Sequence, residues 1–260
     1  MLNQKRVIIE NVMPQLDNGA FFIKRIIGQN IIVSADIISD GHDVMQAEVH
    51  YKYEKEKKWT QKRMNELPND TFETSFSVEK QGFYSYFVEA WIDYELNWQY
   101  GIGKKIKDNQ IVKSELLEGV EYIKPLLKKV NASEKKYLEK IMGFFSEEKF
   151  YNEAIQEAVS DELRNIFIHY PSKILANTSN ELRVYVDRKK ALFSTWYEFF
   201  PRSSSQNEDK HGTFKDCEKI LPKVAQMGFD TLYFPPVHPI GEINRKGKNN
   251  ATNAQKDDVG

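Results

Sequence analysis

Phe72-Glu-Thr-Ser-Phe-Ser-Val-Glu-Lys-Gln-Gly-Phe-Tyr-Ser-Tyr-Phe-Val-Glu-Ala-Trp-Ile92 holds two runs of alternating side chains either side of a turn. Phe72, Thr74, Phe76 and Val78 share one face of the first run; Tyr84, Tyr86, Val88, Ala90 and Ile92 share one face of the second. A period of two sends successive side chains to opposite sides of a strand, so each run reads as a half-buried strand. Gln81-Gly82 provides the turn between them. Upstream, Ala47, Val49, Tyr51 and Tyr53 repeat the pattern, with Ser39-Asp40-Gly41 and Pro68-Asn69-Asp70 as turns. The alternation is expected to extend from Gln29 to about Ile106, and this spacing predicts an antiparallel β-sandwich of immunoglobulin or fibronectin type.

After Val112 the apolar period becomes helical. Leu116, Leu117, Val120 and Ile123 form one stripe; Tyr137, Leu138, Ile141 and Met142 a second; Phe150, Ala154, Ile155, Ala158 and Val159 a third; Leu163, Ile166 and Phe167 a fourth. Ser133, Ser146 and Ser160 stand where a hydroxyl can cap free amides, with acids in the turn that follows. Pro171 ends the helical run. Leu182, Val184 and Val186 then alternate with polar residues as one more strand. If that strand completes the sandwich, the helices of residues 113–172 are an insertion into a domain made of 1–112 plus 173–190.

The remaining residues, 191–260, read as strand, helix, strand: apolar Phe193 to Phe200, a polar loop, a helix carrying Phe214, Cys217, Leu221, Val224 and Met227, then Thr231 to Phe234. That is the βαβ unit of a parallel sheet. Gly228 suits the left-handed position after a helix, and Pro222 predicts a kink or break within it.

Composition narrows the function classes. Of 260 residues 40% are hydrophobic and 29% charged, a globular balance that allows two or three compact units. Lys plus Arg (37) nearly equals Asp plus Glu (38), so no net field attracts nucleic acid or an anionic membrane. Cys217 is the only cysteine, which rules out an internal disulfide and fits a reducing compartment. The apolar run near the N-terminus is too short for a signal peptide, and no stretch approaches the roughly 18 apolar residues of a membrane span. A cytoplasmic protein is expected.

In parallel α/β units the loops leaving the carboxyl ends of strands build the site. Pro235-Pro-Val-His-Pro-Ile-Gly241 makes a stiff strand exit, and Arg245-Lys-Gly-Lys-Asn-Asn250 follows. Its three cations and two amides would suit a phosphate and sugar hydroxyls; the plainer reading is a solvated loop. His238 reads as a packing or hydrogen-bonding residue, without a partner at metal spacing. Cys217 reads as a small core residue, and Ser203-Ser-Ser205, lacking the glycines of a nucleophile elbow, as a flexible loop. Tyr84, Tyr86, Trp91, Trp98 and Tyr100 could stack on sugars, but alternating aromatics are more often core.

Trp196-Tyr-Glu-Phe-Phe-Pro-Arg-Ser203 with His211-Gly-Thr-Phe214 resembles the first barrel strand and loop of the α-1,4-glucan:maltose-1-phosphate maltosyltransferases, within the α-amylase superfamily. Leu221 to Asp230 and Leu232 to Gly241 look like that family's first helix and second strand, and Arg245 to Asn250 completes the match. The resemblance implies an N-terminal sandwich with an inserted helical bundle, followed by about two strands of a TIM (β/α)8 barrel. It also implies a homodimer, and maltosyl transfer from α-maltose 1-phosphate to the non-reducing ends of α-1,4-glucans with retention. No metal or organic cofactor is implied, and neither nucleic acid nor membrane is a partner. Retention needs a carboxylate nucleophile and a carboxyl acid/base about 5 Å apart. In the family these stand on later barrel strands, so no catalytic residue is expected before Gly260 and the chain alone is expected to be inactive. Lys246 carries over as a donor-binding lysine, with Lys248, Asn249 and Asn250 as neighbours; Asp257 and Asp258 read as structural or exposed. The alternatives are another amylase-type enzyme, such as a branching enzyme, or a non-catalytic module that binds glucan and dimerises.

Overall fold

Strand β8 (Gly82–Ile92), the second run of the stretch quoted above, is central to its sheet. The computed structural model describes residues 6–207, 210–238, 241, 243–256 and 258; Pro239, Ile240, Asp257 and Gly260, named above, lie outside them. The chain divides into two compact units, Met1–Asp187 and Arg188–Gly260.

In the first unit the other strands are β1 (Val7–Met13), β2 (Ile23–Ile26), β3 (Asn30–Ser39), β4 (Met45–Tyr53), β5 (Thr60–Arg63), β6 (Asn65–Glu66), β7 (Thr71–Ser77), β9 (Asn177–Thr178) and β10 (Leu182–Asp187). One sheet runs β1-β3-β7-β6 and the other β2-β10-β8-β4-β5, with β9 paired to β8. Along β4 and β8 the antiparallel register runs unbroken from Met45 opposite Ile92 to Tyr53 opposite Tyr84. It therefore brings Ala47, Val49, Tyr86, Val88 and Ala90 to one face, where they meet Ile31, Val33, Ile37, Phe72 and Phe76 of the other sheet in a single core. Each large side chain so buried contributes about 1.5–3 kcal/mol. Two sheets over one core, with helices between β8 and β10, are compatible with a sandwich carrying a helical insertion. The last strand does complete the sheet: β10 lies antiparallel to β8 and parallel to β2.

The helices are α1 (Tyr94–Lys107), α2 (Lys113–Ile123), α3 (Ala132–Ser146), α4 (Tyr151–Ala158) and α5 (Asp161–His169). Helix α1 corrects the expectation that strand alternation reaches Ile106. Asp93 accepts the Leu96 amide proton at 2.9 Å and starts the helix there, so Trp98 and Tyr100 are helical residues. Two expected caps also differ. Asn131, not Ser133, caps α3, in a reciprocal box with Glu134; the Ser146 hydroxyl donates back to the Met142 carbonyl at the end of the same helix. Ser160 caps α5 as expected. Leu96, Trp98, Ile102, Leu116, Val120, Ile123, Leu138, Ile141 and Phe167 bury their stripes in a second core of their own. No helix among the described residues is long and apolar enough to cross a membrane.

The Asp93 cap has a cost. Its carboxyl is fully buried, and burial pushes it up from 3.8 to about 6, against the opposing pull of the Leu96 amide. The folded state thus holds a proton that the unfolded chain releases, and stability falls as pH rises from about 3.8 to about 6. Asp93→Asn keeps an oxygen for the cap without the charge. It is expected to raise stability at pH 7 by about 1–2 kcal/mol and to remove this decline, which urea melts at several pH values would read.

The second unit holds β11 (Trp196–Glu198), α6 (Phe214–Gln226) and β12 (Thr231–Tyr233), with β11 and β12 parallel and in register. Thr213 caps α6 in a reciprocal box with Asp216, whose carboxyl is held well below the usual range by hydrogen bonds from Lys219 and Thr213. Of the kink or break expected at Pro222, the break does not occur: the helix is continuous through it. Of its apolar stripe, Cys217 and Val224 are buried.

Candidate functional site

The carboxyl ends of β11 and β12 open on a cavity of about 420 Å³. From the β11 side come Phe200, Pro201, Arg202, His211, Gly212, Thr213 and Phe214; from the β12 side Pro235, Pro236, Val237 and His238. The β11 wall is a tied turn. Ser204 donates its hydroxyl proton to the Pro201 carbonyl at 2.6 Å, and the Gly212 amide donates to the Arg202 carbonyl at 2.7 Å. A Cβ on Gly212 would collide with Ser204 Oγ and the Pro201 oxygen, so only glycine lets the two segments approach. This corrects the reading of Ser203 to Ser205 as a flexible loop: Ser204 is buried in a helical turn, and Cys217 Sγ lies 3.5 Å from its hydroxyl. Aromatic and proline walls with a few polar groups suit a neutral ring such as a sugar. No described lining residue carries a carboxylate, so this wall can bind and orient but holds no nucleophile or acid for glycosyl transfer.

The strand-exit rule points to the segment after β12, and His238, which reads from sequence as a packing or hydrogen-bonding residue, lines the cavity. Arg202 and His211 were missed as lining residues. The strand-end rule applied to β11 would have found them.

Lys246, Lys248, Asn249 and Asn250 are exposed and do not line this cavity. Their loop is nonetheless built. The Arg245 guanidinium donates to the Asp258 carbonyl, the Gln255 amide donates to Asp258 Oδ2 at 2.7 Å, and the Gly247 amide donates to the Ala251 carbonyl at 2.8 Å. Asn249 and Asn250 take left-handed backbone angles, φ 56° and 61°, which asparagine tolerates. Neither Lys246 nor Lys248 has an ion-pair partner among the described residues, so their ammonium groups remain available to a ligand.

A second cluster was invisible to spacing. Glu48 and His50 on β4 and Glu89 on β8 bring three possible ligand atoms within 4.8 Å of one another. The Lys173 ammonium sits among them, 2.6 Å from Glu48 and 2.7 Å from Glu89, and over the Trp91 ring. His50 Nε2 lies 3.0 Å from Glu89, and Arg63 donates to the Ile168 carbonyl at the end of α5. The carboxylates already have an internal cation, and the cluster ties the end of α5 to the sheet.

Residues 5–188 match the family profile described as α-1,4-glucan:maltose-1-phosphate maltosyltransferase, domain N/S. Among curated relatives, the α-1,4-glucan:maltose-1-phosphate maltosyltransferase of Chlorobaculum tepidum is 40% identical over 99% of this chain and 38% of its own length. Those of Methylacidiphilum infernorum and Myxococcus xanthus are 38% and 36% identical, over 99% and 98% of this chain and 38% and 39% of theirs. The chain thus spans well under half the length of these relatives.

Proposed function

The chain belongs to the α-1,4-glucan:maltose-1-phosphate maltosyltransferase family, and from that membership we propose that the whole protein transfers maltosyl units from α-maltose 1-phosphate to the non-reducing ends of α-1,4-glucans. The observation that carries the reading is the match at 40% identity over 99% of the chain, which spans both units. The transfer proceeds with retention through a carboxylate nucleophile and a carboxyl acid/base on barrel strands outside these 260 residues, so the chain by itself is inactive. Lys246 binds the donor's phosphate, with Lys248, Asn249 and Asn250 beside it; its exposed, unpaired ammonium supports the assignment.

Under the same reading the two sheets form an immunoglobulin- or fibronectin-like sandwich, the helices between β8 and β9 are its insertion, and residues 191–260 open a (β/α)8 barrel. The parallel β11-α6-β12 unit supports the barrel, as do Trp196 and Tyr233, apolar side chains left exposed on a two-stranded sheet. The protein works in the cytoplasm as a homodimer.

Phosphate release from α-maltose 1-phosphate plus maltohexaose tests the proposal. Release is expected from the full-length protein and not from this chain. Lys246→Ala in the full-length protein is expected to lower kcat/KM for the donor about tenfold to a hundredfold, the worth of a charge-assisted hydrogen bond. A full-length protein that releases no phosphate would sink the reading; an unchanged kcat/KM would remove Lys246 from it.

A further inference from the structure

A cleft of about 310 Å³ lies between β1 with the turn after it and the segment joining β9 to β10. Gln15, Asn18, Asn180 and Thr178 line it, and none of these side chains hydrogen-bonds to another described residue. Ile9, Val12 and Leu182 make an apolar floor, and Glu10 is its one charged lining residue.

The walls are fixed before any ligand arrives. Ser179 Oγ accepts the Val88 amide proton at 3.0 Å and donates to the Asn180 carbonyl at 3.0 Å, pinning that turn to the sheet. On the facing side Asn18 and Gly19 take left-handed angles, φ 54° and 84°. A Cβ on Gly19 would lie 2.7 Å from Leu182 Cδ2, so the turn approaches the floor more closely than another residue would allow. Tyr86 donates its hydroxyl proton to the Pro14 carbonyl and holds the same turn from beneath.

We propose that this cleft is a second carbohydrate site of the chain, taking a neutral α-1,4-glucan by two or so glucose units. Each primary amide offers two donors and an acceptor, which matches the paired hydroxyls of a pyranose, while the apolar floor receives the ring's C–H face. The absence of a cation among the described lining residues, and the presence of Glu10, disfavour a phosphorylated sugar. The choice of an α-1,4-glucan rests on the family reading; the capacity for a neutral polyol does not.

Titration calorimetry of maltotetraose into this 260-residue chain, with cellotetraose as control, tests the inference. Saturable, α-selective binding is expected. The double variant Asn18→Gly, Asn180→Ala, in which glycine keeps the left-handed backbone at 18, should weaken it about tenfold, as two lost hydrogen bonds imply. Both side chains are exposed, so far-UV circular dichroism and the melting midpoint should not move. No saturable binding, equal binding of cellotetraose, or undiminished binding by the variant would each overturn it. Phosphate release by the full-length protein reports separately on the transferase reading: turnover without this binding defeats only the second site, and binding without turnover defeats only the transferase.

Discussion

Trp98→Ala is expected to destabilise the protein by about 4 kcal/mol, with the loss concentrated in the helices α1 to α5. The indole is 6% exposed and sits between helices, 6.0 Å from the Phe145 ring and edge-on to Phe167 at 6.1 Å. Its Nε1 donates to the Glu115 carbonyl at 2.7 Å, and its six-membered ring lies against Gly119, where a Cβ would overlap it. Alanine would leave a cavity in a core that shares no buried residue with the sandwich core, so chemical denaturation followed by helical circular dichroism should show an earlier transition. A shift under about 1 kcal/mol would mean that the helices collapse onto the space. Gly119 supplies a sharper check through its sign. Gly119→Ala should destabilise the wild type by about 1–2 kcal/mol through overpacking, yet stabilise the Trp98→Ala variant, where alanine's helical preference acts unopposed.

Lys173→Met is expected to cost about 3 kcal/mol at neutral pH. The Glu48 and Glu89 side chains are only 13% and 20% exposed, and the variant would leave both without the ammonium between them. Glu89 is held down at about 2, first by the hydrogen bond from His50 and then by Lys173, against an ordinary 4.5. A depressed carboxyl contributes stability that is complete above about pH 4.5 and is lost as pH falls toward 2. The cost of the variant should therefore be greatest near pH 7 and shrink below pH 4.5, where protonation removes the unpaired charge. Urea melts at pH 7 and pH 4 would read this; a cost independent of pH would make Lys173 a packing residue.

Much of the architecture could be read from the chain. The alternation at Thr71 to Ile92 became β7 and β8, and the four stripes after Val112 became helices. Both patterns are short-range, written in residues two or four apart. The sequence reading failed where two patterns overlap. The alternating aromatics that end β8 run on through Trp98 and Tyr100, and only the Asp93 cap marks the change to a helix. Asn131 capping α3 was obscured by Ser133 two residues later, an equally good cap by type.

The candidate sites divide in the same way. Contiguous strings, Pro235 to Gly241 and Arg245 to Asn250, lead to the family and to Lys246, because a motif made of neighbours is legible without a fold. Glu48, Glu89 and Lys173 meet only because β4 pairs with β8 in one register and the chain returns from α5 beside them. Arg202, His211 and His238 share a cavity because two parallel strands end together, and the Asn18 and Asn180 cleft exists because β10 returns to the sheet. The sequence by itself determined most element types, the α1 segment excepted, with the turns and the family, all properties of adjacent residues. The tertiary structure decided which distant side chains converge and which are left without partners, since convergence depends on strand register and chain path, to which local sequence contributes only one side of each pair.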